Sequence, residues 1–232
     1  MSRFQKLKEQ VYHSNLELPR QGVVKYTFGN ASAIDRNNDV IAIKPSGVSY
    51  DVLKPEDIVV LDLNGAIVEG TLNPSSDTKT HLELYNHFPE IGGVVHTHST
   101  YAVAWAQAAM PIPILGTTHA DHCHVAIPCT EFMSKAMIEG DYEVETGIQI
   151  INAFKKLSYL EVEMVLIAGH GPFTWGKSPE KAVYNSVILE ELAKMAFLTL
   201  QINPKISQLD KALVNKHYQR KHGPNAYYGQ NS

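Results

Sequence analysis

Gly92-Gly93-Val94-Val95-His96-Thr97-His98 is the stretch around which the rest of the chain can be arranged. Two valines behind a glycine pair predict a buried strand over Gly93–His98, and alternation of side chains sends His96 and His98 to one face and Thr97 to the other. The strand is apolar where it begins and polar where it ends, which suits a site at a strand's exit. Two imidazoles on one strand face can grip one cation, or they are two solvated histidines at a polar strand end.

On either side of that strand, helices and short strands alternate. Apolar residues at Phe4, Leu7, Val11 and Leu18 predict an amphipathic helix over 3–18, with Pro19 as its stop. Val40–Ile43 and Ile58–Leu63 read as strands, and Asn64-Gly65 as a hairpin turn. Ser76 or Asp77 caps a helix running to about His87. Thr100–Ala109 and Val144–Leu157 read as helices, Met164–His170 as a strand, and Phe173–Trp175 as its partner beyond Gly171-Pro172. Ser178 or Pro179 opens a long helix to about Leu200, and Ile206–Arg220 forms the last. No repeat or linker interrupts the 232 residues. The pattern predicts one α/β domain over 1–232, with a central mixed or mainly antiparallel sheet and helices on both faces.

Composition narrows the function classes. The net charge is −4 and no basic stripe occurs, which argues against a nucleic-acid partner. No apolar run approaches the roughly 18 residues of a membrane span, and no leader-like stretch follows Met1. Two cysteines, Cys123 and Cys129, do not make a disulfide scaffold. The expected setting is soluble, reducing and cytoplasmic. Seven of the eleven histidines fall between His81 and His124, and an eighth, His170, ends an apolar run between Gly169 and Gly171. Three histidines with an open position would make a catalytic zinc site. Asp77 is a candidate fourth ligand, or only a helix cap.

Six motifs in order resemble the L-ribulose-5-phosphate 4-epimerase family of the class II aldolase superfamily. They are Lys44-Pro45-Ser46-Gly47-Val48, Pro74-Ser75-Ser76-Asp77-Thr78, His96-Thr97-His98, Gly116-Thr117-Thr118-His119-Ala120-Asp121, His170-Gly171-Pro172-Phe173, and the tail from Asn215-Lys216-His217-Tyr218 to Tyr227-Tyr228-Gly229-Gln230. The resemblance implies a three-layer α/β/α fold and one zinc per subunit at Asp77, His96, His98 and His170. It implies a substrate phosphate against Gly29, Asn30, Ser46, Gly47, Ser75 and Ser76, with Lys44 close by. It assigns acid–base work to Asp121 and Tyr228 and a supporting role to His217. It also implies a cyclic homotetramer in which a neighbour supplies Asp121 and Tyr228. Fuculose-phosphate-type aldolases carry Glu where this chain has Asp77, which favours the epimerase branch. The departure is His122-Cys123-His124, where related epimerases tend to have aromatic residues, and these three are read as packing or rim residues.

The chemistry implied is cleavage of C3–C4 of a ketose phosphate and re-addition to the opposite aldehyde face. C4 has no adjacent carbonyl, so direct deprotonation there would be very slow. Cleavage instead leaves charge beside the C2 ketone, where a Lewis acid can stabilise it.

Overall fold

The computed structural model describes residues 2–224, 226 and 227. The elements run α1 (Gln5–Arg20), β1 (Gly29–Asp35), β2 (Val40–Ile43), β3 (Val59–Asp62), β4 (Ile67–Glu69), α2 (Thr78–His87), β5 (Gly93–Thr97), α3 (Thr100–Gln107), α4 (Thr117–Ala120), α5 (Lys135–Glu139), α6 (Tyr142–Ala153), β6 (Met164–Leu166), β7 (Pro172–Gly176), α7 (Pro179–Ile202) and α8 (Lys211–His222). Among the described residues, seven strands form one sheet in the order β4-β3-β2-β1-β5-β7-β6. Each of the six pairings between these strands is antiparallel, and an isolated parallel bridge joins Cys129 to Leu166.

Alternation along β5 assigns the two faces. Val94 packs with Leu84 and Tyr85 of α2, Ile150 of α6 and Trp175 of β7. Val95 faces the other way, against Leu18 of α1 and Ala182 and Val183 of α7. Helices therefore cover both faces, and all five residues of β5 are buried. His96 follows Val94 onto the α2 face. It lies opposite Phe173 in the register with β7, and the two rings stack with centroids 4.3 Å apart.

Several boundaries differ from the sequence expectation. Pro19 sits inside α1, because losing one N–H in the last turn still lets Gln21 N–H reach Glu17 O. β6 stops at Leu166; Ile167 N–H turns back to Gly171 O, and Gly169 at φ +74° makes a turn rather than a strand end. The last helix starts at Lys211 rather than Ile206, since the Asp210 carboxylate accepts from Ala212 N–H and caps it there. β1 had no distinct signal of its own, although it pairs directly with β5.

Candidate metal centre

Three imidazoles meet where β5 and the β6–β7 turn come together. His96 is buried near the end of β5, and its Nδ1–H donates to Pro172 O at 2.9 Å. A neutral imidazole carries one N–H, so this bond leaves the Nε2 lone pair free. His98, just past the strand, places its Nε2 3.0 Å from His96 Nε2. His170 projects from the turn beside them, with ring centroids 4.7 Å from His96 and 5.1 Å from His98. One nitrogen from each ring lies within 4.8 Å of the others. Burial, then the neighbouring histidines, pushes His170 down to about 4, and burial likewise lowers His98. Both rings are thus neutral near pH 7, the form that binds a metal.

Strand pairing brings the carboxylate in. Asn30 on β1 lies opposite His96 on β5. Its amide donates to Asp77 Oδ2 at 2.6 Å and to Ser75 Oγ at 3.0 Å. Asp77 occupies the N-cap position of α2 without a side-chain capping bond. Its carboxylate is engaged by Asn30 instead and lines the same cavity as the three histidines. Burial pushes this acid up, but His96, His81, the Asn30 bond and His170 outweigh it and hold it below the usual carboxylate value. Gly29 permits the close approach of β1 to β5: at φ +148°, a Cβ there would lie 2.8 Å from His96 O. The cluster of three imidazoles, with the Asp77 carboxylate on the same cavity wall, fits a divalent first-row ion such as zinc.

A cavity of about 470 Å³ opens over this cluster. Asp77 and the three histidines form one part of its wall, and Gly29, Asn30, Lys44, Ser46, Gly47, Ser75 and Ser76 another. A bridge between Pro45 and Pro74 holds the two serine loops together. Ser46 N–H goes to Asn73 O and Ser75 N–H to Lys44 O, so those two amides face each other's loop rather than the cavity. Lys44 is buried; its Nζ lies 3.3 Å from Pro45 O and 4.9 Å from the Tyr50 ring centroid. Burial pushes its ammonium down to about 8. Among the described residues its partners are a carbonyl and a ring, a setting that suits an anion.

Thr27, Phe28, Tyr142 and Glu143 also line the cavity. Sequence reading did not single them out. Tyr142 and Glu143 arrive because α6 packs on α2, and no periodicity marks them.

Asp121 does not line the cavity. It ends α4, where Arg220 grips it from α8 with Nε–H to Oδ1 at 2.9 Å and Nη2–H to Oδ2 at 2.6 Å. His217 Nδ1 lies 3.0 Å from Oδ1. Burial raises this acid, but the Arg220 and His217 bonds more than offset that and lower it. Tyr228 lies outside the described residues. His122 packs near Tyr184, His124 near Tyr218, and Cys123 is buried with Sγ on Val125 O.

A single antiparallel α/β sheet with a polar cleft lined by imidazoles is the class of protein these features define. Residues 9–197 match the family described as Class II Aldolase and Adducin N-terminal domain, and the chain belongs to that family. Among solved structures, an L-fuculose 1-phosphate aldolase is 25% identical with a TM-score of 0.77, covering 95% of this chain and 97% of its own. YgbL from Klebsiella pneumoniae, described with the alternatives aldolase, epimerase and decarboxylase, is 24% identical at TM-score 0.74, over 93% of this chain and 99% of its own. The L-fuculose-1-phosphate aldolase of Thermus thermophilus is 24% identical at TM-score 0.67, over 87% and 98%.

Proposed function

We propose that this chain is a zinc-dependent L-ribulose-5-phosphate 4-epimerase that interconverts L-ribulose 5-phosphate and D-xylulose 5-phosphate by cleaving and re-forming C3–C4. The observation that carries the reading is the convergence of His96, His98 and His170 beside Asp77, in the cavity that also holds Lys44. Asp77, His96, His98 and His170 would hold one zinc per subunit. Zinc there would supply Lewis acidity to the oxygens of the ketose.

The chain's own residues do the rest. Lys44, with Ser46, Gly47, Ser75, Ser76, Gly29 and Asn30, anchors the phosphate, so the aldehyde fragment can turn without leaving. Asn30 also holds the Asp77 carboxylate at the cavity wall. Asp121 and Tyr228 move protons on opposite sides of the aldehyde, with His217 holding the Asp121 carboxylate. Because Asp121 lies away from its own cavity, a neighbouring subunit supplies it, and the protein works as a homotetramer with sites at subunit boundaries.

An aldolase that releases both fragments is the second reading, supported by the likeness to L-fuculose 1-phosphate aldolase. Asp77 in place of a fuculose-type Glu, together with the C-terminal tyrosine, favours the epimerase. Incubating zinc-loaded protein with L-ribulose 5-phosphate separates the two. D-Xylulose 5-phosphate should accumulate without free glycolaldehyde phosphate, and the converse product pattern assigns an aldolase.

A further inference from the structure

His170 has a partner outside the proposed ligand set. Tyr142, the first residue of α6, places its hydroxyl 3.2 Å from His170 Nδ1. We propose that Tyr142 is a positioning residue for the metal centre. Its hydroxyl accepts the Nδ1–H of His170, fixes that ring's tautomer and direction, and so sets how tightly the cluster holds a divalent cation. This inference rests on the three-imidazole metal reading and not on which sugar is used.

A cation on Nε2 leaves the single imidazole proton on Nδ1, where it needs an acceptor. His96 has the Pro172 carbonyl for this purpose. His170 lies in a turn between Gly169 and Gly171, where the backbone alone restrains its ring little. With Nδ1 engaged by Tyr142, Nε2 is the nitrogen left to face His96 and His98.

Tyr142 is itself held firmly. Lys79 of α2 pairs with Asp141 at 2.5 Å, and Thr80 Oγ1–H donates to Glu143 O at 2.6 Å. Gly147 lets α6 approach α2 so closely that a Cβ there would lie 2.5 Å from Glu83 Cβ. The residues on either side of Tyr142 are thus tied to the helix that begins immediately after Asp77. Through the packing of α6 on α2, the tyrosine hydroxyl links the helix after Asp77 to the β6–β7 turn, so Asp77 and His170 share one support.

Tyr142→Phe keeps the ring and deletes only the hydroxyl. Zinc affinity is read by competition with a chromophoric chelator, and ligand geometry by the visible spectrum of the Co²⁺-loaded protein. The variant should bind zinc about 10–100-fold more weakly and show a shifted cobalt spectrum, while the metal-free protein melts as wild type. Unchanged affinity and spectrum overturn the inference, even if turnover falls, since the hydroxyl would then serve the substrate. His96→Asn is the reference. If it binds zinc like wild type, the metal reading itself fails. If it loses zinc and Tyr142→Phe does not, only this inference fails. Long-range ¹H–¹⁵N spectra of the wild-type zinc protein give an answer that needs no variant. Protonation of His170 at Nδ1 supports the proposal and protonation at Nε2 overturns it.

Discussion

At the scale of single residues, the cluster is defined by how closely its ring nitrogens approach. Two ring nitrogens 3.0 Å apart can share one proton or face one cation. His98→Asn should therefore lower zinc content and turnover together; metal analysis showing full occupancy would remove His98 from the ligand set. Lys44 makes a different prediction. Burial puts its ammonium at about 8, so the free enzyme carries this charge below that pH and loses it above. Because kcat/KM reports the free enzyme, its value for a sugar phosphate should fall as pH rises through about 8. Lys44→Met should abolish that alkaline limb and raise KM by about 10–100-fold, the loss of one charge-assisted bond. A pH profile identical in the variant would show that another group sets the limb.

At the scale of elements, helix starts and strand ends place the site. α3 begins two residues after His98, and its first amides are satisfied by a distant side chain. Glu190 of α7 accepts from Tyr101 N–H at 2.9 and 3.1 Å and from Ala102 N–H at 2.9 Å. A carboxylate there satisfies otherwise unpaired donors and complements the helix dipole. Glu190→Ala should cost about 1–2 kcal/mol of stability, as loss of a cap does. It should also weaken zinc binding, because the backbone leaving His98 loses its anchor. Chemical denaturation measures the first effect and chelator competition the second. Stability equal to wild type would make this contact incidental.

At the scale of the whole molecule, the proposed acid–base group and the cleft lie apart within one chain. Asp121 is clamped by α8 and does not line the cavity. Met195, Leu198 and Ile202 share one face of α7 and are 44%, 44% and 86% exposed, an apolar stripe suited to a subunit contact. Asp121→Asn alone should slow turnover about 10²–10⁴-fold with zinc retained. Mixing it with inactive His98→Asn subunits tests the neighbour's role directly. In a ring where each site takes its histidines from one chain and Asp121 from the next, random reassociation should restore about a quarter of wild-type activity. No recovery after verified subunit exchange would place both groups in the same chain.

Local pattern was enough for much of this. The alternation in Gly93–His98 put His96 and His98 on one side, and the Ser178-Pro179 and Asn64-Gly65 signals marked a helix start and a turn, because those choices depend on backbone geometry over a few residues. Local pattern misjudged Pro19 and the far end of β6, where a hydrogen bond across a turn outweighed the apolar run. Nor could it choose between a cap and a place on the cavity wall for Asp77. That was decided by β1 pairing with β5, which sets Asn30 opposite His96 and within reach of the carboxylate. The sequence by itself determined which side chains are able to bind a cation. Which of them meet, and that Tyr142 stands behind His170, was decided only by register and helix packing, since both join residues dozens of positions apart through burial that no local window contains.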